Sequence, residues 1–77
     1  LAVERWIEGM DDLNKALELS PTDAEALSLR ARAHLATDNL RAAKADMEEA
    51  LVYEPENLQI LVLRGEIREA IRLSDLN

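Results

Sequence analysis

The chain reads as all-α, about four helices packed as antiparallel pairs into a superhelical stack, and three observations lead there. Apolar residues recur at intervals of three and four between turn signals, the spacing that lines one face of an α-helix. Only Trp6 and Tyr53 are aromatic, so the core must come from Leu, Ala, Ile, Val and Met, a palette better suited to helices than to pleated sheets. Pro21 and Pro55 stand 34 residues apart, each closing the pattern Ala-Leu-x-x-x-Pro, and sliding the chain along itself by that distance brings much of the rest into step. Leu1, Ala2, Asp12, Ala16, Leu17, Leu27, Leu29, Arg30 and Ala36 fall on Leu35, Ala36, Asp46, Ala50, Leu51, Leu61, Leu63, Arg64 and Ala70, while Leu13 meets Met47 and Ala31 meets Gly65. Helical repeats of this kind cannot bury their apolar faces singly and therefore stack.

The first helix is expected over residues 3–19, where Val3, Trp6, Ile7, Met10, Leu13, Ala16 and Leu17 keep helical spacing. Ser20-Pro21 ends it, because a residue before proline avoids the α region. Thr22 or Asp23 caps the second helix, which places a carboxylate in the first turn where the helix dipole favours it. That helix runs to about Ala36 with Ala24, Leu27, Ala31, His34 and Leu35 turned inward, and Thr37-Asp38-Asn39 forms a polar turn able to cap again. A third helix, Leu40 to Tyr53, carries Leu40, Ala43, Met47, Ala50 and Leu51 on its apolar face. Glu54-Pro55-Glu56-Asn57 stops it as the first was stopped. The last helix runs from Leu58 to about Leu73, and Ser74 to Asn77 read as a turn or frayed end.

Composition narrows function. The 77 residues make one small domain, 48% hydrophobic and 32% charged, which excludes the disordered class. The longest apolar run, Ile60 to Leu63, is far too short for membrane insertion. A net charge of −7 opposes nucleic acid and anionic membranes, whose binding needs clustered Lys and Arg. The absence of Cys suits a reducing compartment such as the cytoplasm. With no initiating Met, the chain is expected to be a segment of something longer.

The 34-residue period, the closing prolines and the small residues between them resemble the tetratricopeptide (TPR) repeat family. Ala31, Ala43 and Ala50 stand at the family's small-residue places, where close helix crossings leave no room for more. His34, Leu27 and Met47 stand where the family often has tyrosine, tryptophan and phenylalanine. The resemblance implies a complete repeat over residues 24–57, the end of a helix A plus a helix B over 1–23, and the helix A or capping helix of a third, incomplete repeat over 58–77.

It further implies a protein-interaction scaffold, whose A helices line a concave groove for a partner peptide or protein. Here the groove would comprise Glu25, Ser28, Arg32 and Leu35 with Gln59, Val62, Glu66 and Glu69. Arg32 is the one cation among them and suits a carboxylate. Family members that grip acidic chaperone tails use several Lys, Arg and Asn residues on successive A helices. Ser28, Gln59, Val62 and Leu63 hold those places, so a clamp of that kind is not expected.

The alternative expectation is structural: a self-associating segment of a longer solenoid or homo-oligomer, using Ile60, Leu63 and Ile67. The fourth helix begins apolar nearly all round, with Leu61 and Gly65 expected to face the preceding helices. The pairs Asp12 with Arg30 and Asp46 with Arg64, each 18 apart, are expected to form a repeated contact. Arg64, Arg68 and Arg72 share one stripe that would meet acidic residues elsewhere. The acidic clusters Asp11-Asp12 and Asp46-Glu48-Glu49 read as solvated helix faces, lacking the turned loop that gathers metal ligands. The sole histidine has no hydroxyl or thiol arrayed against it, so neither catalysis nor a cofactor is expected.

Overall fold

The computed structural model describes the backbone of residues 2–76 and the side chains from Gly9 to Leu76; readings that fell on Leu1 and on the side chains of Ala2, Val3, Trp6 and Ile7 lie outside the described residues. Four helices follow in order, α1 (Ala2–Leu19), α2 (Ala24–Ala36), α3 (Leu40–Tyr53) and α4 (Leu58–Ser74). Short connections force each to double back on its predecessor. The result is an all-α, TPR-like stack of antiparallel helix pairs, with α2 packed against all three others.

Two of the three connections are the same turn. Asp23 N–H donates to the Ser20 carbonyl at 3.2 Å and Asn57 N–H to the Glu54 carbonyl at 3.2 Å, with Pro21 and Pro55 second in each turn, where their fixed φ is already suitable. The last residue of each turn then caps the next helix. Asp23 Oδ1 accepts from Ala26 N–H at 3.2 Å, and Asn57 Oδ1 accepts from the N–H groups of Gln59 at 2.9 Å and Ile60 at 3.3 Å. The α2–α3 connection differs. Asn39 N–H donates to His34 at 2.8 Å and Asp38 N–H to Leu35 at 3.1 Å, a Schellman closure that puts Asp38 in the left-handed region at φ 61°. Asn39 occupies the N-cap position of α3 without a side-chain cap bond.

The core is one cluster of Leu17, Ala24, Ala26, Leu27, Ala31, Ala43, Met47, Ala50, Ile60, Leu63 and Ile67, with Leu13, Leu35, Leu51 and Ile71 packed at its edge. Ala31, Ala43 and Ala50 are fully buried, which lets α2 and α3 approach closely.

In α4 the inward face differs from the sequence reading. Ile60, Leu63 and Ile67 point into the core, 1% exposed or less, whereas Leu61 is half-buried and Gly65 exposed. The run Leu58 to Leu63 is apolar on every side, so its pattern does not choose a face; packing against α2 and α3 does. Buried in their own chain, Ile60, Leu63 and Ile67 are not available to a second copy. The apolar side chains that α4 leaves outside are Leu58, Val62 and Leu73.

Candidate functional site

Asp46 is the one buried charged residue among those described, 6% exposed on the inner side of α3. Arg30 grips it with both prongs of its guanidinium: Nε donates to Oδ2 and Nη2 to Oδ1, each at 2.7 Å. The remaining prong, Nη1, donates to Asn14 Oδ1 on α1 at 3.0 Å, and the His34 ring adds Nε2 at 3.4 Å from Asp46 Oδ2. One arginine thus ties three helices together. The bonds to Asp46 hold the Arg30 proton more firmly than usual; partial burial opposes this, and the charges of Asp46 and Glu49 add to it. The expected pairs Asp12 with Arg30 and Asp46 with Arg64 are therefore corrected. Each period contains one such Asp and one such Arg, and the extensive α2–α3 packing places Arg30 beside the Asp that follows it; Asp12 is exposed. The reading of Asp46 as part of a solvated face fails for the same reason, while Asp11, Glu48 and Glu49 are exposed.

A hollow of about 480 Å³ opens between α2 and the start of α4, lined by Glu25, Ser28, Leu29, Arg32, Glu54, Asn57, Gln59 and Ile60. It brings together Glu25, Ser28, Arg32 and Gln59 from the expected groove. Val62, Glu66 and Glu69 lie outside its lining, exposed on α4, and Leu35 packs half-buried against the core. Sequence reasoning passed over Leu29, Glu54 and Asn57, and assigned Ile60 to self-association rather than to the groove. Asn57 was legible, since an N-cap residue stands beside the first turn of its helix, and its Nδ2 also donates to Glu54 Oε1 at 2.7 Å. Within the hollow the Ser28 hydroxyl donates to the Glu25 carbonyl at 2.9 Å. Arg32, exposed, is the single cation of the lining, flanked by Glu25 and Glu54.

A second hollow, about 500 Å³, lies between α3 and α4 and is lined by Lys44, Met47, Glu48, Leu51, Arg64, Ile67, Arg68 and Ile71. Two arginines of the α4 stripe line it; the third, Arg72, turns to Glu69, donating through Nε to Oε2 at 3.2 Å. Among the described residues no helix is long and apolar enough to cross a membrane.

Comparison with known proteins finds short stretches of similarity. Sperm-associated antigen 1 of Mus musculus is 35% identical over 57 residues, covering 74% of this chain and 6% of that protein. Peptidyl-prolyl cis-trans isomerase FKBP4 of Bos taurus and of Homo sapiens are each 31% identical over 75 residues, 92% of this chain and 16% of the relative. The chain thus spans a small fraction of the length of the curated relatives it matches. No family model matches the sequence. No solved structure matches it either. The chain is an all-α helical-repeat segment with the layout of a TPR stack, similar over most of its length to parts of these larger proteins.

Proposed function

We propose that the chain is a TPR-type protein-interaction segment without catalytic activity, holding a partner peptide or protein in the hollow between α2 and α4. In this reading residues 24–57 form one whole repeat, 1–23 the end of the one before and 58–77 the first helix of the one after. The observation that carries it is the convergence of Glu25, Ser28, Arg32 and Gln59 on a single concavity. Val62, Glu66 and Glu69 follow Gln59 at helical spacing and extend the strip along α4. Arg32 offers a planar fork to a carboxylate of the partner, and Glu25 and Glu54 offer acceptors to its backbone N–H groups or a cationic side chain. Leu29 and Ile60 supply an apolar floor. Such a mixture fits a short extended peptide better than a metabolite, which an enclosed, mostly apolar pocket would suit. The partner is protein rather than nucleic acid, since the net charge is −7.

The test is capture from lysate by the wild-type chain beside Arg32→Glu and Ser28→Arg variants whose helicity is checked first. A partner retained by the wild type and lost with both variants supports the hollow as the binding site. A partner retained equally by all three sinks it.

A further inference from the structure

The hollow between α2 and α4 carries opposite charges at its two ends. Glu25, Ser28, Leu29 and Arg32 recur at intervals of three, one and three, so they stand in line on one face of α2. Glu25 and Arg32 are two turns apart, about 10 Å along the helix axis. Helix α3 doubles back along α2, so the turn that ends α3 lies beside the start of α2, and Glu54 joins Glu25 at that end. Two exposed carboxylates from separate elements thus share one end of the hollow, and one exposed guanidinium holds the other. Leu29 lies between them on α2, 42% exposed. Glu54 is also held in place. Asn57 uses both ends of its amide: Oδ1 caps α4, accepting from the N–H groups of Gln59 and Ile60, while Nδ2 donates to Glu54 Oε1 at 2.7 Å. That carboxylate is tied to the start of a helix, which lowers the cost of ordering it when a partner binds. Among the described residues Glu25, Glu54 and Arg32 form no ion pair with one another, so their charges are left for whatever fills the hollow.

Resting on the reading of this hollow as a peptide site, we infer that its occupant is an extended segment bearing both signs of charge, with a Lys or Arg side chain seated between Glu25 and Glu54 and an Asp or Glu carboxylate on Arg32. The two charged residues are three apart in the partner's sequence. In an extended polyproline-II segment three residues rise about 9 Å and complete one turn, which returns the two side chains to the same side at the separation that α2 sets. An apolar residue between them rests against Leu29. A wholly acidic segment satisfies Arg32 but sets its other carboxylate against Glu25 and Glu54, and a wholly basic one satisfies the carboxylates but is repelled by Arg32. Complementary charge of this kind selects the partner and fixes its register more than it adds affinity, and the repulsive arrangements exclude the wrong partners.

Titration of three peptides into the isotope-labelled chain tests this, with amide NMR shifts followed at Glu25, Ser28, Arg32 and Gln59. The peptides are Lys-Ala-Leu-Glu, Glu-Ala-Leu-Glu and Lys-Ala-Leu-Lys, acetylated and amidated to remove their terminal charges. The dipolar peptide is expected to move these amides and to bind about tenfold more tightly than the other two, since each exchange turns an attraction at an exposed site into a repulsion. Glu54→Gln keeps an oxygen for Asn57 and should weaken the dipolar peptide about threefold. Arg32→Glu should bind the basic peptide best. Both variants change exposed side chains and should keep the wild-type circular dichroism. Equal binding of the three peptides in the hollow, or a preference for the acidic or the basic one, overturns the inference while leaving the hollow a peptide site. Shifts confined to other faces, or none with any peptide at millimolar concentration, overturn it as well, and the lysate capture then decides separately whether the hollow takes a partner.

Discussion

Helices α2 and α4 occupy corresponding places in the 34-residue period and share one buried side, Ala26 with Ile60 and Ala33 with Ile67, yet differ at the positions beside it. Leu27 is 1% exposed where its counterpart Leu61 is half in solvent, and Ala31 is fully buried where Gly65 is open. On the other side the order reverses, with Leu29 42% exposed and Leu63 1%. Neighbours account for both differences. α2 is packed by α1, α3 and α4, whereas among the described residues α4 packs against α3 and α2. A residue's place in the repeat therefore determines what it can contact, and the neighbouring helices determine whether it is buried.

The largest expected effect follows directly. Leu27→Ala removes a fully enclosed side chain and leaves a cavity, a loss of about 3 kcal/mol, whereas Leu61→Ala trims a half-wet one and costs about 1 kcal/mol. In a chain this small the first loss is a large fraction of the whole stability. Urea titrations followed by circular dichroism, at concentrations where the chain is dilute, measure both. Equal losses would mean that α4 is as well covered as α2, and the comparison would fail.

The ion pair gives the next effect. Asp46→Ala strands Arg30, which holds two 2.7 Å bonds to that carboxylate; because the Arg30 side chain is 24% exposed and can partly rehydrate, the expected cost is about 2 kcal/mol, below that of stranding a fully buried charge. Asp12→Ala, at the corresponding but exposed position, should change stability by only a few tenths of a kcal/mol, as surface charges do. The same titrations decide it. A large loss at Asp12 would show that its carboxylate is engaged within the chain and not available at the outer face of α1.

Helix limits were legible because local chemistry sets them. Both Pro turns, the caps at Asp23 and Asn57 and the small residues at Ala31, Ala43 and Ala50 act within a turn or two of sequence. The inward face of α4 was not legible, since Leu58, Ile60, Leu61, Val62 and Leu63 offer apolar surface in every direction and only tertiary contact selects among them. The choice of Asp46 over Asp12 as the partner of Arg30 was hidden similarly: periodicity supplies one Asp per repeat, and the packing of helices decides which one comes near. About half of the expected groove converges for the same reason. Glu25, Ser28 and Arg32 share a face of α2 whatever lies opposite, but which residues of α4 meet them depends on how α4 is rolled, and Gln59 faces the hollow while Glu66 and Glu69 do not line it.

The smallest effect is the most discriminating. Glycine in the middle of a helix loses more backbone entropy on folding than alanine does, about 0.8 kcal/mol. At Gly65 nothing within 4 Å would meet an added Cβ, and φ is not in the left-handed region, so the chain's own fold has no use for the missing side chain. Gly65→Ala should therefore raise the stability of the dilute chain by roughly that amount, while Ala31→Gly, at the corresponding but enclosed place, should lower it by about 1 kcal/mol or more as helix propensity and packing are both lost. A gain at Gly65 means that this glycine weakens the chain through backbone entropy alone, with no packing contact to offset it. A loss would mean that the space around it is already occupied in solution, and α4 would then have to be regarded as covered on the same face as α2.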